Sequence, residues 1–273
     1  MRGASPLLIP SRHTGFARGR GESARPEFWD SLIMVWCPFL GVEQNSGLRD
    51  QSGRGWTTTT AWQSGVAFVY GDGPTHVHFP DTAIENLTGF GLAELQNNFT
   101  IIARIRTADH TKTQQICSQL VGVNNCWQFW FDGSGDLQLR RQIGFNRDAS
   151  VTLSTAYDNT WFSVAARHDF INGGAVFADG GKKGTNANTG ALDNTPNNVQ
   201  IGWFGSSGED FVGDISALYI YSTPKPDTFI RAVMADWTGV MRLWRRRIMR
   251  AQAAVAAFDT PVLGASMTGI LGG

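Results

Sequence analysis

The chain has 273 residues, 42% hydrophobic, 11% aromatic and 17% charged, with 32 Gly and ten Trp. That composition excludes a disordered polyelectrolyte, and the glycines follow no three-residue collagen period. Formal charge sums to zero but is uneven: residues 1–25 carry +4, residues 231–273 carry +4, and the body between them carries −8.

Residues 1–27 are rich in Gly, Arg, Ser and Pro without hydrophobic period, which predicts an extended basic arm. They contain no continuous apolar stretch and are not read as a secretory signal. No apolar run reaches the roughly 18–20 residues of a membrane span. Structure is expected to start near Phe28, with Leu32 to Trp36 as the first apolar run. Phe99, Ile101, Ala103 and Ile105 alternate with Thr100, Ile102, Arg104 and Arg106, a strand with one partly polar face. Trp127, Phe129 and Phe131 alternate with Cys126, Gln128 and Trp130. After the turn residues Asp132 to Gly135, Leu137 and Leu139 complete a hairpin. Trp161 to Ala166, Ala175 to Ala178, Val199 to Gly202 and Ile215 to Tyr221 supply further strands.

Helical spacing begins only after Pro226. Phe229, Ile230, Val233, Met234 and Trp237 fall on one face, with Asp227 or Thr228 as the cap. A second helical stretch is predicted from Val240 to about Phe258, followed by a flexible tail over 259–273. The organisation expected is therefore an arm (1–27), an all-β body (28–226), a helical basic segment (227–258) and a tail (259–273). Many short strands in one block of this size predict a two-sheet antiparallel jelly-roll sandwich.

Several segments in order resemble the concanavalin A-like, laminin G-like jelly roll. They are Leu48 to Gly55, Phe68 to Gly73 with His76 to Pro80, Asn98 to Arg106, Phe177 to Gly180, Val199 to Gly202, and Phe211 to Tyr221. The resemblance implies a calcium site in some members, for which Asp50 and Asp214 are the candidates here. The acidic residues usual after the closing-strand Ile are replaced by Ser216 and Ala217, so no cofactor is assigned. An arm, a jelly roll and an Arg-rich tail together also resemble laminin G-like proteins of tailed bacteriophages. That implies a virion location and other virion structural proteins as partners in an oligomeric assembly.

The chemistry-bearing residues point away from catalysis. A glycosidase needs two carboxylates about 5–9 Å apart. None of the six Glu lies two or four residues from another carboxylate on a convincing strand. His76 and His78 share a strand face that is read as a solvated polar face rather than a metal site. His168-Asp169 has no nucleophile motif beside it. Cys37, Cys117 and Cys126 form no disulfide framework; Cys117 and Cys126 are read as reduced, with a disulfide across a hairpin as the alternative. Trp127 is assigned to the core and Trp130, on the opposite face, is the candidate glycan contact.

Two functions follow. The first is a non-enzymatic virion structural protein, held to acidic neighbours by Arg242, Arg245, Arg246, Arg247 and Arg250. Nucleic acid is disfavoured because no aromatic residues interleave with those arginines in a base-reading pattern. The second is a carbohydrate-binding lectin module.

Overall fold

The structure is a computed structural model, and the residues it describes are 20, 23–37, 52, 67–69, 75–80, 95–121, 124–192, 199–202 and 209–242. Among these residues thirteen strands are formed: β1 (Leu32–Trp36), β2 (Ala67–Val69), β3 (His76–Phe79), β4 (Asn98–Thr107), β5 (Gln114–Val121), β6 (Asn124–Phe131), β7 (Asp136–Ile143), β8 (Phe145–Thr152), β9 (Phe162–Asp169), β10 (Gly173–Ala178), β11 (Gly181–Asn186), β12 (Val199–Ile201) and β13 (Gly213–Tyr221). The helix α1 (Asp227–Ala235) follows.

The strands make two antiparallel sheets. Eight form one sheet in the order β11-β10-β9-β4-β13-β3-β2, with β1 also pairing β13; five form the other in the order β12-β5-β6-β7-β8. This is the jelly-roll sandwich expected from the sequence. Strand alternation directs Phe99, Ile101, Ala103 and Ile105 from β4, and Trp127, Phe129 and Phe131 from β6, into one inter-sheet core.

The larger sheet is buried on its other face too. Ile102, Ala165, Phe177, Ala217, Tyr219 and Tyr221 point outward into a second core. Ile230, Val233 and Met234 of α1 cover them together with Phe28, Trp29, Val240 and Met241. This cover is stitched from both ends of the chain. Trp29 Nε1 donates to the Val240 carbonyl at 2.7 Å, Ser23 Oγ donates to the same oxygen at 3.1 Å, and Ala24 N donates to the Arg242 carbonyl at 2.6 Å.

Three boundaries therefore differ from expectation. The body starts near Phe28 as expected but reaches a few residues into the arm, where Ser23 and Ala24 bond Val240 and Arg242 ahead of the Pro26–Trp29 3-10 turn. The helix cap is Pro226, not Asp227 or Thr228, and Asp227 instead pairs with Arg167 at 2.8 Å. Where a second helix was expected from Val240, Gly239–Met241 make a 3-10 turn and Arg242 is extended, since Val240 and Met241 bury against the sheet. The remainder of that stretch and the tail lie outside the described residues.

Phe129 is fully buried among both sheets. Phe129→Ala is expected to lower stability by about 3–5 kcal/mol, measured by denaturant unfolding. An unchanged midpoint would contradict the register given for β6.

Candidate functional site

Both faces of the larger sheet are engaged over much of their extent, and the polar rows of the fold lie on the outer face of the five-stranded sheet. Its composition follows from the register. Residues directly opposite in an antiparallel pair share a face. Trp130 lies between Gln115 and Gln138, and Gln138 faces Ser150. The neighbouring row runs Gln200, Ser118, Gln128, Arg140 and Asp148 across all five strands. Because Trp127, Phe129 and Phe131 point into the core, both rows point out of it.

The rows are polar, aromatic and incompletely bonded. The Arg140 guanidinium sits 4.6 Å from the centre of the Trp130 ring and pairs with Asp148 at 3.3 Å. Glu209 is half-buried beside this face, its backbone oxygen accepting from Gln115 N at 2.9 Å. Burial pushes the Glu209 carboxyl above its usual range, and the charge of Arg140 opposes that rise. The Gln138 amide donates to Asp132. The side-chain oxygens of Gln115, Gln128, Gln138 and Gln200 and the indole N–H of Trp130 are buried without a hydrogen-bond partner. Buried polar groups are normally paired, so five unpaired groups on one sheet face are the feature of that face to be explained. Trp130 is 8% and Gln128 1% exposed, so a ligand reaches them only by displacing what screens them.

The other sequence candidates fall elsewhere. Asp214, one of the two calcium candidates, stands in the row β3-β13-β4 between His78 and Arg106, 2.9 Å from His78 Nδ1 and 2.7 Å from Arg106 Nε. His76 Nε2 lies 3.3 Å from the same carboxylate. A carboxylate neutralised by a guanidinium is a poor cation ligand. No metal-holding group of His, Cys, Asp or Glu exists among the described residues. Nor is the His76–His78 face simply solvated, as His76 is buried against Trp161 with ring centres 5.2 Å apart. Asp50, Arg245, Arg246, Arg247 and Arg250 lie outside the described residues. Arg242 pairs within the chain, with Asp236 at 2.7 Å. Cys117 is a free, buried thiol.

Sequence reasoning missed a buried charge at one end of the sandwich. Arg141 is fully buried and donates to the carbonyls of Asn186 (3.4 Å) and Asn188 (3.0 Å) and to Asn186 Oδ1 at 3.0 Å. A Cβ at Gly174 would collide with the guanidinium, so glycine is what admits it. His168, also fully buried, faces the same group. Burial first, and then the Arg141 charge, push the His168 imidazole down to about 4. His168-Asp169 is thus no general-base pair: the imidazole points into the core while Asp169 bonds the following turn.

The sign for stability follows. With a folded pKa near 4 and an unfolded one near 6.5, the unfolded chain binds more protons in between. The contribution is complete above pH 6.5 and is lost as pH falls toward 4. Between pH 7 and pH 5 the wild type is expected to lose about 2 kcal/mol more stability than His168→Gln. Parallel pH profiles for the two proteins in chemical denaturation would contradict the buried neutral imidazole.

The model of the concanavalin A-like lectin/glucanases superfamily, in its laminin G form, matches residues 72–230, more than half of the chain. No curated protein matches. Among solved structures, the botulinum neurotoxin type G receptor binding domain is similar with a TM-score of 0.60 at 18% identity, over 76% of this chain and 52% of that one. A botulinum neurotoxin D/C binding domain solved in complex with rat synaptotagmin II aligns at a TM-score of 0.57 and 16% identity, over 77% of this chain and 52% of the other. The D/C binding domain has also been solved with SialylT; it aligns at a TM-score of 0.57 and 17% identity, over 76% and 51%. The chain therefore spans about half the length of these neighbours, and at such identities the likeness is one of fold.

Proposed function

The chain belongs to the concanavalin A-like lectin/glucanases superfamily, and from that premise we propose that it is a carbohydrate-binding module without catalytic activity. Its site is the outer face of the five-stranded sheet. The observation that carries this is the cluster of unpaired glutamine side-chain oxygens beside Trp130. Four glutamine oxygens can accept from hydroxyl groups, and the indole N–H can donate to one. A glycan supplies hydroxyls at that density; an apolar ligand would leave the same groups unsatisfied. Arg140, fixed over the indole and tethered by Asp148, adds a cation to the rim. Like the neurotoxin domain solved with SialylT, this chain would use the jelly roll as a scaffold for sugar recognition.

The virion role expected from the sequence has no counterpart in the fold or the comparisons and forms no part of this proposal. The absence of catalysis does: among the described residues of the two rows the one carboxylate is Asp148, and it is bound to Arg140.

A glycan array is expected to show selective binding, weakened about tenfold or more by Trp130→Ala and by Gln128→Ala, with the sugars released unhydrolysed. An array without binding, or binding indifferent to both substitutions in folded protein, would overturn the assignment.

A further inference from the structure

Among the described residues, only two large apolar side chains are exposed, and they are neighbours in sequence. Phe170 is 44% and Ile171 76% exposed, at the tip of the turn joining β9 to β10. Isolated exposed apolar residues are ordinary, but the only two standing together on one hairpin tip are a feature to explain.

The turn is built to hold them out. Asp169 Oδ1 accepts from the amides of Ile171 (2.8 Å) and Asn172 (3.0 Å), and Asp169 Oδ2 accepts from Asn172 Nδ2 at 2.8 Å. Phe170 N donates to Asn98 Oδ1 at 3.0 Å, and Gly190 N donates to the Phe170 carbonyl at 3.0 Å. Gly173, with φ +84°, closes the turn where a side chain would strike the Asn186 carbonyl. All three tip amides, 170 to 172, are therefore satisfied from within the chain. The one carboxylate of the turn is spent on that task and is itself buried.

We propose that this tip is a membrane-surface contact, with Phe170 and Ile171 entering the interface of a lipid bilayer. What opposes placing backbone in an apolar medium is its unpaired N–H groups; here they are already paired. What favours it is the removal of two large apolar side chains from water. The knob is convex and small. A protein partner would need a pocket shaped to it, whereas a bilayer deforms around it. Asn98, Asn172 and Gly190, which bond the tip, are uncharged, and the one carboxylate there, Asp169, is turned to the tip amides, so the contact requires no anionic lipid. This is attachment to a surface, distinct from spanning: no helix among the described residues is long and apolar enough to cross a membrane. It is also separate from glycan recognition, which sits on the other sheet.

The test is co-sedimentation of the full chain with vesicles of pure phosphatidylcholine, which carry no glycan, at about 0.5 M salt, where exposed charge is screened. The expected result is weak, salt-insensitive binding that Ile171→Asp reduces roughly tenfold and Ile171→Trp strengthens. Because Ile171 stands mostly in solvent, neither substitution should move the melting midpoint. Wild-type protein that stays in the supernatant at millimolar lipid, or binding unchanged by Ile171→Asp, would overturn the proposal. So would dependence on the pair for capture of a protein but not of vesicles.

Discussion

Burial of β13 on both faces is the constraint on which the rest of the molecule depends. All nine residues from Gly213 to Tyr221 are buried. Ile215, Leu218 and Ile220 fill the inter-sheet core, while Ala217, Tyr219 and Tyr221 face the opposite way. A strand of this kind cannot lie in a sandwich with one solvated face. The outward side chains must be covered, and the chain covers them with α1, Phe28 and Trp29, held together through the Val240 and Arg242 carbonyls. Tyr219 completes the cover by donating its hydroxyl to the Trp237 carbonyl at 2.5 Å.

That constraint distributes function. The larger sheet spends its outer face on stability, and where the cover ends, the His78–Asp214–Arg106 row satisfies itself. The five-stranded sheet holds, on its outer rows, the glutamine side-chain oxygens left without internal partners. The end of the sandwich is a third region, where the buried Arg141 locks the exit of β11 and the β9–β10 turn displays Phe170 and Ile171. Scaffold, proposed sugar face and projecting tip thus occupy different surfaces of one jelly roll.

Much of this was legible in the sequence where a strand has one apolar and one distinct face. The alternation in β4 and β6 placed the core side chains, and the position of Trp130 opposite Phe129 placed it on the outer face. β5, β8 and β11 were not legible. β5 reads as polar because Gln115 and Ser118 face outward and Gln119 is used internally, accepting from Trp127 Nε1 at 2.8 Å. β8 and β11 are edge strands, with one side unpaired and weak apolar alternation. In β11, Gly184 is required because the Ser150 carbonyl leaves no space for a side chain. The cover could not be read either, since the partners of Ser23 and Trp29 lie more than 200 residues away. The engagement of Asp214 likewise arises from pairing with β3 and β4, which no local pattern reports.

The most direct test of this division of surfaces is hydrogen exchange with and without a glycan selected by array binding. If the larger sheet is closed by its own chain and the smaller sheet carries the site, added glycan will slow exchange across β5 to β8, from Gln115 to Asp148. It will leave α1 and residues 239–242 unchanged. Protection that falls on α1 and the Trp29–Val240 contact, with β6 and β7 unaffected, would contradict the account.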